Sequence, residues 1–146
     1  MTTAQWKHIT GIVLDGAFFC TRAVIPGMVK RGWGRIVNIS GLSHYAPNYR
    51  GRSHVSAAKA GLEGFTRALA AEYAKKNITV NCVCPGRIGG DRSATSSELP
   101  DPTLIPPVGH LGVSEDIAGA VHYFCLPTSG FVTGHTMHVN GGQVLL

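Results

Sequence analysis

The chain has 146 residues, of which 44% are hydrophobic and 14% charged, with a formal net charge of +5 at pH 7, a balance typical of one globular domain that excludes a wholly disordered chain. All 13 lysines and arginines lie at or before Arg92, but they alternate with apolar residues at helical spacing and form no basic run. Solvated helix faces or an anionic cofactor explain them better than nucleic acid does, and we expect no nucleic-acid partner.

The cysteine pattern argues against a metal site. Cys20, Cys82, Cys84 and Cys125 are scattered without the spacing of zinc ligands, and no metal is predicted. Cys82 and Cys84 alternate within an apolar run, so both should point to one face of a strand. We expect all four to be reduced, buried thiols.

The N-terminal stretch MTTAQWKHITG lacks the basic-then-apolar layout of a signal peptide. No apolar stretch is long and uninterrupted enough to suggest a membrane span. We therefore expect a soluble, cytoplasmic protein with no membrane partner.

Residues 5–30 predict a first helix, because apolar residues recur there at helical spacing. Pro26 is expected to kink its last turns, and Gly32 is expected to end it. The helix is apolar over much of its circumference, which indicates burial against a sheet or another subunit. RIVNISG, at residues 35–41, follows as a β-branched run typical of a buried parallel strand.

A second helix is predicted over residues 54–76, after a loop at residues 43–52 that is rich in Pro, Asn and Gly. Asn77 suits the C-terminal end of this helix. ITVNCVC, at residues 78–84, predicts a second buried strand.

The last part of the chain begins with a polar irregular region over residues 87–113. A third helix is predicted from Ser114, taken as its N-cap, and a closing strand in TMHVNGGQVLL at residues 136–146. Strand and helix alternate throughout, which predicts the α/β class with a mostly parallel sheet. We see no repeat and no internal linker, so residues 1–146 are predicted to form a single domain.

Four blocks together resemble the short-chain dehydrogenase/reductase family: GRIVNISG, the helix that carries AAKAG, TVNCVCPG and FVTGHTMHVNGG. Their order and spacing match the family from its fourth helix to its C-terminal strand, over nearly the whole chain. The resemblance implies a Rossmann-like, doubly wound parallel sheet and hydride transfer between NAD or NADP and a carbonyl or alcohol. No Gly-rich pyrophosphate-binding turn follows any strand, so we expect the chain to lack the N-terminal nucleotide-binding half of that fold.

Lys59 is the catalytic residue that the resemblance retains. In the family, a tyrosine one helical turn earlier transfers the proton, and the lysine lowers its pKa and hydrogen-bonds the nicotinamide ribose. Val55 stands in place of that tyrosine, and Val13 in place of the family's catalytic asparagine. The small residues around Lys59, in SHVSAAKAGLEGF, are expected to let the cofactor approach.

Two residues are predicted to replace the missing catalytic groups. The family's helper serine falls at Gly41, with Ser40 and Ser43 on either side, and Ser43 is assigned its role. His54 precedes the vacated tyrosine position and is the preferred proton donor, although adjacent helical residues point about 100° apart and the helix start would have to shift. Three loop aromatics are expected to shape the substrate pocket rather than to catalyse: His44, Tyr45 and Tyr49.

Three further residues are predicted to contact the cofactor. Pro85 and Gly86 match the family's turn against the nicotinamide, and Ile88 matches the apolar contact that follows it. Gly90 stands where a threonine often binds the carboxamide. The mobile substrate lid is expected within residues 87–113, whose Gly, Ser and Pro content suits a flexible segment.

Two functions are compatible with this pattern. The first is an NAD(P)-dependent oxidoreductase that acts on a small-molecule carbonyl or alcohol. The alternative is a non-catalytic family member that acts through helices 5–30 and 54–76, which resemble the pair that forms the family's dimer bundle. In both cases we expect a homo-oligomer, and the open edge of the strand at residues 35–41 should promote self-association.

Overall fold

The computed structural model describes residues 1–45, 51–89 and 105–145. Three parallel strands form a sheet in the order β1-β2-β3: β1 at Gly34–Ile39, β2 at Ile78–Pro85 and β3 at Thr136–Val139. The helices are α1 at Thr3–Thr10, α2 at Gly16–Arg31, α3 at Ser53–Tyr73 and α4 at Ser114–Cys125. The predicted α/β class with a parallel sheet is therefore confirmed.

A continuous helical segment joins α1 to α2 through the π-helical residues Gly11–Asp15. Thr2 caps its start by accepting a hydrogen bond from Gln5 N–H at 3.2 Å. Gly32 ends it with a φ of 65°, a left-handed conformation that favours glycine. α2 continues through Pro26, and the irregular turn lies at Gly11–Asp15, which the sequence pattern did not indicate.

The helical segment from Thr3 to Arg31 is 29 residues long, with an apolar window of mean hydropathy 1.5 that is 11% buried. By length and composition it is able to cross a bilayer, so the expectation that no segment is long and apolar enough was wrong. A helix that packs against another protein has the same features, and Thr21 and Ile25 are already buried against the rest of the chain. Length and composition alone do not place this segment in a membrane.

The strands differ from their predicted ranges at their carboxyl ends. β1 stops at Ile39, and β2 runs one residue longer than predicted. β3 has 4 residues, because Gly141 and Gly142 turn the chain with φ values of 60° and 85°. Asn140 Oδ1 closes that turn by accepting from Gly142 N–H at 2.9 Å. The predicted final strand over residues 136–146 was therefore too long.

Helix ends follow the predicted signals in one case and depart from them in another. A short 3₁₀ turn after α3 leads to Asn77, which ends the helical stretch as predicted and does so in the left-handed conformation, with a φ of 58°. At the start of α4 the N-cap is Val113, and Asp116 Oδ2 accepts its N–H at 2.8 Å. The carboxylate in the first helical turn thus does the capping that was assigned to Ser114.

Two stretches of the predicted loops lie outside the described residues: 46–50, with Tyr49, and 90–104, with Gly90. In the described part of the predicted lid, Ile88 pairs with Gly112 in a parallel bridge. Val108 N–H donates to Gly141 O at 3.1 Å. The two described ends of the region are therefore fixed to each other and to the turn after β3.

Helices pack on both faces of the sheet. Ile78 and Val80 of β2 are fully buried against Leu69 of α3. Val83, at an odd-numbered position of the same strand, packs instead against Phe124 of α4. Because successive side chains of a strand point to opposite faces, even-numbered positions of β2 face α3 and odd-numbered positions face α4. This two-sided burial is the arrangement expected of a doubly wound sheet.

All four cysteines are free. Cys82 and Cys84 are fully buried on the face of β2 that packs on α3, where burial raises their pKa values to about 11 and about 12. Both thiols therefore stay protonated at neutral pH. Cys20 and Cys125 are exposed, so the expectation of four buried thiols was wrong for these two.

Candidate functional site

Lys59 lies where α3 crosses the carboxyl end of β1. Its Nζ donates a hydrogen bond to the carbonyl of Ile39, the last residue of that strand, at 2.7 Å. Open parallel sheets bind ligands at the carboxyl ends of their strands, which is the position that the predicted role of Lys59 requires. Burial lowers the pKa of Lys59, while the thiols of Cys82 and Cys84 act in the opposite direction. An ammonium group has three donors, so two remain beyond the bond to Ile39.

The small residues beside Lys59 have packing partners within the chain. A side chain at Gly61 would approach Leu14 of the π-helical segment to 3.2 Å, so glycine lets the first helical segment lie close to α3. Ser56 Oγ donates to the Ser43 carbonyl at 2.7 Å and ties α3 to the turn after β1. At these two positions small size is explained by packing, without the cofactor that the sequence analysis invoked.

The chain after β1 carries a glycine with space beside it and a buried serine hydroxyl. Among the described residues, and apart from its chain neighbours, no atom lies within 4 Å of the place that a Gly41 Cβ would take. The Ser43 hydroxyl is buried and has no hydrogen-bond partner within the described parts of the chain, whereas the Ser40 hydroxyl interacts with the Cys82 thiol. Buried polar atoms without partners are uncommon in native proteins, and a bound ligand is one explanation for them.

His54, the predicted proton donor, lies in the first turn of α3 next to Val55. Its Nδ1 is buried, and none of the described residues forms a hydrogen bond with that atom. Among the described residues, no hydrogen bond or ion pair joins His54 to Lys59 or to the Ser43 hydroxyl. The catalytic roles of His54 and Ser43 stay predictions.

The predicted cofactor turn after β2 is held by the turn after β3. Gly86 N–H donates to Val139 O at 2.8 Å. A Cβ on Gly86 would lie 2.5 Å from Asn140 Cα, so packing within the chain already requires glycine there. The cofactor contacts assigned to Pro85, Gly86 and Ile88 stay predictions.

Sequence reasoning missed Glu63, a carboxylate that is 3% exposed and lies one helical turn after Lys59. Tyr45 Oη donates to Glu63 Oε2 at 2.5 Å. His44 Nε2 lies 3.2 Å from Glu63 Oε1, within ion-pair distance although the angles are not those of a hydrogen bond. The available signal was helical spacing: a residue four after Lys59 shares its face, and an acidic residue buried there needs partners.

His138 of β3 completes this group. Its ring centroid lies 4.7 Å from that of Tyr45, and the His44 and Tyr45 centroids are 4.0 Å apart. Burial lowers the pKa of His138, whereas burial and the bond to Glu63 raise the pKa of Tyr45, so both side chains are neutral at neutral pH. We refer to His44, Tyr45, Glu63 and His138 as the Glu63 cluster.

The residues present fit one end of a nicotinamide nucleotide. Within the described ranges, Lys59 has donors left for a ribose, no atom beyond the chain neighbours lies within 4 Å of a Cβ position at Gly41, and the Ser43 hydroxyl lacks a partner. All of them lie at or just after the carboxyl end of β1. The sequence contains no Gly-rich turn after a strand for the pyrophosphate. The fit therefore concerns the nicotinamide-ribose end alone.

Nearly the whole chain is similar in sequence to known proteins. Residues 1–143 match the family model described as enoyl-(acyl carrier protein) reductase. The acetoacetyl-CoA reductase of Rhizobium meliloti (strain 1021) is 44% identical over 98% of this chain and 60% of its own length. The 3-oxoacyl-[acyl-carrier-protein] reductase FabG of Aquifex aeolicus is 38% identical over 98% of this chain and 58% of its own length.

A solved structure of another protein has a similar fold over nearly the whole of this chain. The acetoin dehydrogenase YohF from Salmonella typhimurium superposes with a TM-score of 0.83 at 32% identity, covering 97% of this chain and 56% of that protein. The chain thus spans 58% to 60% of the length of the two curated relatives named above. The matched region, residues 1–143, includes every described helix and strand.

Proposed function

This chain belongs to the short-chain dehydrogenase/reductase family, and on that premise we propose that it supplies the catalytic lysine and the carbonyl-binding side of an NAD- or NADP-dependent oxidoreductase. The observation that carries the proposal is the placement of Lys59, whose Nζ meets the last carbonyl of β1 at 2.7 Å. The two curated relatives are reductases by name, which supports hydride-transfer chemistry.

We propose a 3-oxoacyl thioester as the substrate class, its ketone being reduced to an alcohol. The support is that the two curated relatives are named for acetoacetyl-CoA and for 3-oxoacyl-carrier protein. Acetoin, for which the structural relative is named, is the comparison substrate. The free cysteines suit a reducing compartment, which supports the cytoplasmic location that we propose.

Each predicted residue has a role in this proposal. When bound, a nicotinamide cofactor supplies the hydride to the carbonyl carbon. Lys59 holds the ribose, and the Ser43 hydroxyl binds the substrate oxygen. The nicotinamide is bordered by Pro85, Gly86 and Ile88. Val55 has no ionisable group, so the proton comes from another residue, for which His54 is the candidate predicted from sequence.

Nucleotide binding tests the proposal without requiring turnover. The protein as its own cells make it is purified, and its intact mass is compared with that calculated from the 146 residues. Saturation-transfer NMR then measures binding of NADH and NADPH. We expect Lys59→Met to weaken binding about tenfold, because one charge-assisted hydrogen bond is lost.

Lys30→Met is the matched control, since it removes a lysine from the exposed last turn of α2 and should leave nucleotide affinity unchanged. Equal weakening by the two variants would show that Lys59 acts through overall charge. If the wild-type protein binds neither nucleotide, the oxidoreductase proposal fails and the non-catalytic alternative is favoured.

We also propose that the protein is a homo-oligomer through its first helical segment and α3. Phe18 and Phe19 of α2 are 45% and 60% exposed. The groove between α2 and α3 is lined by apolar side chains that include Ile25, Phe65 and Leu69. In the described ranges β1 pairs with β2 alone, so its other edge is open to a further strand.

Sedimentation velocity at micromolar concentration tests this assembly. We expect Phe19→Lys to lower the molar mass, because a charge would be buried in the apolar contact. Phe131→Lys is the control, since Phe131 is 103% exposed on the loop before β3 and should leave the mass unchanged. A wild-type monomer would contradict the proposal.

A further inference from the structure

We propose that His44, oriented by Glu63, donates the proton to the substrate oxygen in place of the tyrosine that is absent at Val55. This inference rests on the proposed oxidoreductase function and names the residue that completes it. It differs from the donor predicted from sequence, His54, because the structure supplies a carboxylate partner for His44.

His44 lies in the turn between β1 and α3, next to the candidate site. It ends the 3₁₀ turn Leu42–His44, which directly follows β1 and Gly41. α3 holds this turn through the bond from Ser56 to the Ser43 carbonyl, at 2.7 Å. The same helix places Lys59 on the last carbonyl of β1. His44 is therefore fixed at the carboxyl edge of the sheet, where parallel sheets bind their ligands.

Glu63 needs positive or hydrogen-donating partners, because an ionised carboxylate that is 3% exposed is costly to bury alone. The 2.5 Å bond from Tyr45 Oη has the length of a hydrogen bond to a charged oxygen, which indicates an ionised carboxylate. The second carboxylate oxygen of Glu63, Oε1, lies 3.2 Å from His44 Nε2. Such contacts are often long or poorly aligned before substrate binds.

The carboxylate determines which nitrogen of His44 is left for the substrate. An acceptor beside one ring nitrogen favours the tautomer that carries hydrogen there, which is Nε2 in this case. Nδ1 is then the reactive nitrogen. Nδ1 is buried, and none of the described residues forms a hydrogen bond with it. Neither ring nitrogen forms a hydrogen bond with the described residues, but Nε2 lies 3.2 Å from a carboxylate oxygen of Glu63, the contact that would set the tautomer.

The other titratable groups around Glu63 are less suited to the task. Tyr45 directs its hydroxyl hydrogen at Glu63, and its pKa is raised by burial and by that bond, so it does not replace a tyrosine whose pKa must be lowered. His138 on β3 is held neutral by burial, which lowers its pKa. Burial raises the pKa of Cys84 on β2, so its thiol keeps its proton. Arg67 of α3, which lowers the pKa of Tyr45, is a permanent cation.

The proposed step balances in the reductive direction. The His44 imidazolium would pass its Nδ1 proton to the carbonyl oxygen, while a bound reduced nicotinamide would supply the hydride to the carbonyl carbon. The ketone would become an alcohol with oxidation of the nicotinamide, and His44 would be left neutral with its Nε2 hydrogen toward Glu63. Solvent then returns a proton to Nδ1.

The first test is the tautomer of His44, which requires no turnover. Nitrogen-15 NMR of the histidine side chains, with His44 assigned by its loss in His44→Gln, should show the Nε2-protonated form in the wild-type protein. Glu63→Gln keeps the size of the side chain and an acceptor for Tyr45, and it should release His44 to a mixture of both tautomers, since a neutral amide is able either to accept from or to donate to the ring. Tyr45→Phe is the matched control, because it removes the other partner of Glu63 and should leave the tautomer unchanged.

The second test is kinetic. We expect His44→Gln to lower kcat for ketone reduction by about 100-fold, whereas His122→Gln, which changes an exposed histidine of α4, leaves it unchanged. A loss in His54→Gln without one in His44→Gln would overturn the proposal, as would a wild-type His44 that populates both tautomers. No turnover with any nucleotide or ketone, despite a fixed tautomer, would count against the oxidoreductase function and leave the Glu63–His44 pairing supported.

Discussion

Val55→Tyr is expected to rescue the His44→Gln variant, raising its kcat for ketone reduction by about 100-fold. The new hydroxyl would lie one helical turn before Lys59, on the same face of α3. The lysine ammonium is already in place on the Ile39 carbonyl and would lower the pKa of the tyrosine, making it a better proton donor near neutral pH. The measurement is the initial rate of NADH or NADPH oxidation with acetoacetyl-CoA.

Val55→Phe in the same background is the control, because it adds the ring without the hydroxyl. An equal gain with phenylalanine would mean that filling space beside Lys59, rather than proton transfer, raises the rate. No gain with tyrosine, in a variant that still binds nucleotide, would indicate that the site is used differently from the family's. In the wild-type background we expect a smaller gain, because His44 already provides a donor.

Phe124→Ala is expected to lower the free energy of unfolding by about 3–5 kcal/mol, the range for removing a large aromatic side chain from a core. Phe124 is 1% exposed and packs with Val83 and Ala120 between α4 and the sheet. Because α4 is the described helix that covers this face, the cavity has little surrounding structure able to collapse into it. Urea unfolding followed by circular dichroism measures the loss.

The adjacent Tyr123 provides the control. Its side chain is 40% exposed, so Tyr123→Ala should cost about 1 kcal/mol or less. Phe124→Leu keeps most of the buried volume and should cost about 1.5 kcal/mol or less, which keeps the comparison usable if the alanine variant does not fold. Similar losses for Phe124→Ala and Tyr123→Ala would show that this face of the sheet is not a close-packed core.

Local sequence signals located most of the secondary structure. Apolar residues at helical spacing predicted the first helix and α3 to within a few residues, and β-branched runs predicted β1 and β2. The signals failed where one polar side chain, two or three residues away, decided where a helix began or a strand ended. The cap of α4 is made by Asp116 rather than Ser114, and β3 ends early because Asn140 closes a turn with Gly142.

The candidate site was predictable in part. Lys59 was identified from the small residues and blocks that surround it, but its bond to Ile39 O joins residues that are 20 apart in the chain. Glu63 and Tyr45 are 18 apart, and nothing in the local pattern indicated that they meet. Gly86 was assigned to cofactor contact, yet the close approach of Asn140 explains its lack of a side chain.

The sequence by itself determined the α/β class, the order of the elements and the presence of a lysine without the family's tyrosine. These features depend on hydrophobic period and residue type, which act over a few neighbouring positions. The tertiary structure decided which polar atoms meet: it placed Glu63 between His44 and Tyr45 and brought His138 beside them. That choice depends on how the strands pair and how α3 packs on them, because groups far apart in the chain become neighbours only once the sheet is assembled.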